Sequence, residues 1–202
     1  MIAPLLLAAS FALTPQQAVL QIVPTEHGSV PHVVRTNVVG NVAVVYVKGG
    51  VMEGNAVDHA FLAGRYAPGW QPLEYLDNCT LIDRGFSPSA AASLLRGMPA
   101  FDSHQTCGRP QQFRDTGSST DVLAIRRLAR GPLIPYVAVA GNYAVSEWYG
   151  AGGGQTLYER QGPTWKTIKL GGGAVPVSTF RKYGVPLESM CALHVYDAKC
   201  PR

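Results

Sequence analysis

Residues 36–45 and 137–146 carry one pattern twice. Thr36-Asn37-Val38-Val39-Gly40-Asn41-Val42-Ala43-Val44-Val45 aligns with Val137-Ala138-Val139-Ala140-Gly141-Asn142-Tyr143-Ala144-Val145-Ser146. Each is an apolar stretch broken by Gly-Asn and followed by x-Ala-Val. A glycine break comes next in both places, Gly49-Gly50 in one and residues 150–154 in the other. A second strand is expected over 57–66 and 155–161, and a third opens on tryptophan, Trp70 in one copy and Trp165 in the other. The apolar alternation of 165–170 is that of a half-buried strand. Self-similarity at this length scale is the signature of a repeated supersecondary unit.

After the strands each copy turns helical around a glycine, Gly85 or Gly184. Ser87 is a natural N-cap, Pro88 fits the first helical position, and Gly97 can take the left-handed conformation that ends a helix. A further helix is expected before each meander. Thr120 would cap residues 121–130, which Gly131-Pro132 stops, and Thr14 would cap the counterpart over 15–23. The three arginines Arg126, Arg127 and Arg130 then fall near the carbonyl end of the helix dipole, where cations are favoured. The expected fold is therefore α+β: two tandem copies of a three-stranded antiparallel meander plus a short helical hairpin, each preceded by a helix. Residues 13–100 form the first copy and 120–202 the second. The join, 101–119, is rich in Gln, Ser, Gly and Arg and reads as an exposed linker.

Residues 1–12 read as a secretion signal. A short apolar run ends in Ser10-Phe11-Ala12, with small residues where a signal peptidase reads, although the Lys or Arg that ordinarily precedes such a run is missing. The run is too short to span a bilayer, and no later segment approaches about 18 uninterrupted apolar residues. Export, periplasmic or extracellular, agrees with four cysteines, Cys79, Cys107, Cys191 and Cys200. An even number in an exported chain points to disulfides, with three possible pairings. Local pairing, Cys79 with Cys107 and Cys191 with Cys200, is preferred because each bridge then lies within one copy. Zinc would need short-spaced cysteine pairs, and there are none.

The chain is 202 residues long, 47% hydrophobic and 15% charged, with a formal charge of +4. This composition expects a folded chain. So mild a positive balance, without a dense basic stripe, does not imply nucleic acid. No nucleophile elbow, S-x-x-K pair, H-E-x-x-H or EF-hand loop occurs. Gly162-Pro163-Thr164-Trp165-Lys166-Thr167 lacks the Gly-Lys-Thr ending of a phosphate loop, and Pro163 removes an N–H the cradle would need. The triple glycines at 152–154 and 171–173 read as turns. No cofactor is expected.

Gly141-Asn142-Tyr143-Ala144-Val145-Ser146-Glu147-Trp148, Gly152-Gly153-Gly154-Gln155-Thr156-Leu157, Gly162-Pro163-Thr164-Trp165-Lys166 and the later Gly184-Val185-Pro186 together resemble a pattern in uncharacterised exported bacterial proteins, cyanobacterial ones among them. The resemblance covers about the last third of the chain, with a fainter copy in the first half. It implies compartment and fold and no activity. The meander is also similar to cone-shaped nuclear-transport-factor-like domains, which place a longer helical stretch before the strands.

Three function classes follow. The favoured one is an exported, non-catalytic module that binds another protein or an envelope component, an inhibitor being one form of it. Its candidate anchors are Trp148, Tyr149 and Tyr158, aromatics flanking the second glycine-rich hairpin. Their competing role is core packing, which Trp70 and Trp165 are expected to fill. The second class is a metal-dependent or hydrolytic envelope enzyme, with His27, His32, Asp58 and His59, beside Glu26, converging as ligands; such a site needs three of them about 2.0–2.2 Å from the ion. A nucleophilic Cys107 beside His104 belongs to the same class, and oxidation of Cys107 would remove its thiolate. The third is a small-molecule carrier with a cavity between sheet and helices.

Overall fold

The computed structural model describes residues 12–26, 28–52, 55–76, 79–99, 115–150, 152–195 and 197–201. Among these residues one series of elements runs twice. The first is α1 (Pro15–Leu20), β1 (His32–Val39), β2 (Val42–Met52), β3 (Asn55–Tyr66), β4 (Gly69–Tyr75), α2 (Thr80–Asp83) and α3 (Pro88–Leu95). The second is α4 (Ser119–Leu128), β5 (Val137–Ala140), β6 (Tyr143–Gly150), β7 (Gly152–Gln161), β8 (Thr164–Leu170), α5 (Val177–Lys182) and α6 (Leu187–Ala192). The strands form two separate antiparallel sheets in chain order, β1-β2-β3-β4 and β5-β6-β7-β8.

Each sheet has four strands where three were expected. Val39 pairs with Val42 and Ala140 with Tyr143, so each Gly-Asn is the two-residue loop of a hairpin and not a break inside one strand. Gly40 sits at φ +58° and Gly141 at φ +59°. A positive φ at the first loop residue alone is the type II′ geometry, whose twist matches that of the flanking strands.

The two units agree in detail. The β3/β4 ladder shifts register between Leu62 and Ala63, and the β7/β8 ladder between Leu157 and Tyr158. The Arg65 N–H donates to the Asn41 carbonyl at 2.8 Å, and the Arg160 N–H to the Asn142 carbonyl at 2.8 Å. Arg65 faces Trp70 across its ladder as Arg160 faces Trp165. Phe86 N–H bonds the Leu81 carbonyl and Val185 N–H the Phe180 carbonyl, closing each helical hairpin around Gly85 and Gly184. The N-caps are Thr14, Ser87 and Ser118; the last lies two residues before the expected Thr120.

Each sheet is covered on both faces, because successive strand residues alternate sides. Ala43, Val45, Val47, Phe61 and Ala63 meet Val19 and Val23 at the α1 side. Val44, Tyr46, Ala60 and Leu62 meet Leu81 and Leu94 of the helical hairpin on the other. In the second unit Ala144, Tyr158 and Trp165 meet Val122 and Ile125 of α4, while Val145 and Leu157 meet Phe180, Met190 and Leu193. A strand covered on both sides needs a continuous apolar run, which residues 43–47 supply. Burying each of Leu62, Leu94, Phe180 and Leu193 contributes about 1.5–3 kcal/mol. Trp165 is core as expected, whereas Trp70 is only half-buried.

Cys191 of α6 is bonded to Cys200, with Cα atoms 5.6 Å apart, in the expected local pairing. Cys79 is also disulfide-bonded. Its expected partner Cys107, like His104 and the proposed signal up to Phe11, lies outside the described residues. No described helix is long and apolar enough to cross a membrane.

Candidate functional site

Of the expected binding aromatics, Tyr158 lies inside the molecule and Trp148 and Tyr149 are half-buried. Tyr158 is fully buried, and its hydroxyl shares a 2.9 Å hydrogen bond with that of Ser146. Tyr149 is half-buried against the core of the first unit, and its hydroxyl donates to Glu147 at 2.7 Å. Burial pushes the Tyr149 phenol well above the usual tyrosine range, and the Glu147 carboxylate adds to the effect. Trp148 packs on the α4 core beside Gly131. Tyr149 therefore helps join the two units, Trp148 packs within the second, and Tyr158 is a core residue of the second.

The metal candidates do not converge. His32, Lys48 and Asp58 stand in one row across β1, β2 and β3. Lys48 is the middle member and pairs with Asp58 at 3.5 Å. The Tyr46 hydroxyl also donates to Asp58 and, ahead of Lys48, holds its carboxyl below the usual range. His59, one residue on, points to the opposite face and meets Tyr75 edge-on. A cation already occupies the middle of the row, and the fourth candidate, His27, lies outside the described residues. Among the described residues no group of three His, Cys, Asp or Glu could hold a metal.

The seam between the units is built on Asp115 and Thr116, half-buried near the end of the segment read as a linker, while residues 117–119 are exposed. Arg126, in the last turn of α4 as expected, is buried. Its Nε and Nη2 donate to the two carboxylate oxygens of Asp115 at 3.1 and 2.8 Å, and its Nη1 to the Ile134 carbonyl at 3.0 Å. Asp115 also accepts from the Tyr66 hydroxyl at 2.7 Å and the Val137 N–H at 2.8 Å. Burial pushes the Tyr66 phenol well above its usual range. Beside this network lies a cleft of about 310 Å³ walled by Leu62, Leu73 and Phe86, with Arg84 and Asp115 at its margin. Arg84 is itself held, pairing with Glu74 and donating to the Pro135 carbonyl at 2.9 Å.

The same linker tail closes one edge of the second sheet. In a two-residue hairpin the residues next to the loop turn their N–H and C=O inward, so those at alternate positions face out. Val137 and Val139 are the outward residues of β5. The Thr116 N–H donates to the Val137 carbonyl at 2.9 Å, and the Val139 N–H donates to the Thr116 carbonyl at 3.0 Å, making a parallel bridge. Gly117 then crosses Val139 so closely that a Cβ on it would come within 2.6 Å of the valine Cβ.

Among the described residues the equivalent edge of the first sheet has no partner segment. Thr36 and Val38 of β1 occupy the places of Val137 and Val139 in the matching hairpin register. Among the described residues no backbone hydrogen bond reaches their outward groups. Val38 is 52% exposed, while Val139 is half-buried under Gly117. Asn37, facing inward, ties the strand to α3 by donating to the Leu94 and Arg96 carbonyls at 2.8 and 2.9 Å. Val34, the residue at a bulge in the ladder, is also exposed. Arg35 lies against Gly97 and forms no ion pair among the described residues. The other outer edges are guarded: Leu13 accepts from the Trp70 N–H of β4 at 3.2 Å, and β8 carries Lys166 and Lys169.

β1 escaped notice in the sequence because open and closed edges have the same apolar pattern. The usable signal was Asp115-Thr116-Gly117, a carboxylate, a β-branched residue and a glycine immediately before a helix cap. No protein-family model matches this chain, and no curated protein or solved structure matches it either.

Proposed function

We propose that the chain is an exported, non-catalytic module that binds another protein by strand addition at β1. The observation that carries this reading is the edge at Thr36 and Val38, unpartnered among the described residues, at the position where the second unit bridges Thr116 to β5. An unpaired edge rich in valine is a template for an extended segment, with main-chain bonds supplying affinity and flanking side chains selectivity. The apolar N-terminal run and the disulfide bonds support export. The seam cleft supports a carrier less well, because Arg84 and Asp115 at its margin are already bonded to protein partners.

The test uses an acetylated, amidated peptide of alternating valine and threonine, with fluorescence anisotropy as readout, and Val38→Pro as the variant. Proline removes the outward N–H without touching the inner ladder. Binding that weakens at least tenfold in a variant that still melts cooperatively supports the reading. Equal binding to both proteins, or to neither, contradicts it.

A further inference from the structure

We infer that the segment added to β1 belongs to a partner protein, runs parallel to the strand, and carries an acidic residue two positions before a glycine. This rests on strand addition at β1, and the second unit supplies the template. There Asp115 accepts from the Val137 N–H, Thr116 forms the parallel bridge, and Gly117 passes over Val139. Thr36 and Val38 present the same outward groups in the same order. The outward N–H of Thr36 calls for the acceptor that Asp115 supplies to Val137. The valine at 38 calls for glycine, since a side chain at the crossing point meets its Cβ.

The charge agrees. In the second unit the carboxylate of Asp115 is held by Arg126. The first unit offers Arg35, exposed, adjacent to Thr36 and without an ion pair among the described residues. No acidic residue lies on β1. A carboxylate on the incoming segment therefore meets a cation and a backbone N–H together, the combination that makes charge-assisted bonds strong. A second copy of this chain fits less well, because its β1 offers no carboxylate to Arg35.

The experiment measures anisotropy of a labelled peptide, acetyl-Thr-Asp-Thr-Gly-Val-Thr-amide, with the full chain. Three comparisons are made: Gly to Val in the peptide, Asp to Asn in the peptide, and Arg35→Ala in the protein. The expected results are at least tenfold weakening for the valine peptide and about fivefold for the asparagine peptide, the latter difference disappearing on Arg35→Ala. Equal affinity of the parent and valine peptides, or an Asp-to-Asn effect that persists in Arg35→Ala, overturns the inference. Strand addition itself survives that outcome if Val38→Pro still abolishes binding of the valine and threonine peptide, so the two failures are distinguishable. Sedimentation supplies the remaining arm: a dimer that Val38→Pro dissolves assigns the edge to a second copy and also overturns the partner assignment.

Discussion

Arg126 lies over the ring of Tyr66, its guanidinium carbon 4.0 Å from the ring centroid, although one residue is in α4 and the other ends β3. The contact places a buried cation, a phenol and the Asp115 carboxylate in one network across the seam. Removing one partner of a buried pair leaves the other unpaired, which is the expensive case. Arg126→Met is expected to destabilise the chain by about 3–5 kcal/mol in urea denaturation. Adding Asp115→Asn to it is expected to recover part of that loss. A cost below about 1 kcal/mol would mean that the network does not hold the units together.

Gly117 is the second point at which the seam and the edge meet. It sits at φ +113° with its α-carbon against Val139. Gly117→Val introduces both backbone strain and a clash, each worth about 1–3 kcal/mol. The expected outcome is a loss of about 2–4 kcal/mol together with faster amide exchange at Val139, as residue 116 lifts from β5. Unchanged exchange at Val139 would show that the bridge does not depend on the glycine.

The first helices of the two series, α1 and α4, differ at one informative position. Three residues after its cap, α1 has Gln17, whose side chain accepts from the Thr14 N–H at 2.9 Å. At that place α4 has Asp121, which bonds Arg160 at 2.7 Å and Trp165 at 3.0 Å. Arg160, ahead of Trp165 and Ser118, holds the Asp121 carboxyl at about 2, below the ordinary 3.8. A depressed carboxylate stabilises the fold above its unfolded value and loses that contribution as pH falls through its folded value. The stability gap between the parent and Asp121→Asn is therefore expected to be full at pH 5 and to close between about pH 4 and pH 2. Thermal melts across that range check it, and a gap independent of pH would contradict the pairing.

Much of the fold was legible because its punctuation is local. Ser87 and Thr14 cap the helices that the sequence assigned to them, and Gly85 and Gly184 divide the paired short helices. Strand number was misread because apolar character continues through Gly40-Asn41 and Gly141-Asn142, so periodicity alone hid a turn that depends on one positive φ. Tyr158 proved fully buried and Tyr149 half-buried for a different reason. Alternation places them on opposite faces of a sheet, but only the packing of α4 and of the first unit decides that both faces are covered. The site was the least legible part, since it consists of main-chain groups at Thr36 and Val38 that are unpaired among the described residues, and depends on where residues 115–117 run.

The contrast between the two edges is open to native-state amide hydrogen exchange on the free protein. The outward amides of Val137 and Val139 are expected to be protected by Asp115 and Thr116, and those of Thr36 and Val38 to exchange at least a hundredfold faster. Adding the acidic-x-glycine peptide is expected to slow Thr36 and Val38 while leaving Val137 and Val139 unchanged. Equal protection of the four amides in the free protein would contradict an open edge on the first sheet, and with it the binding function assigned to β1.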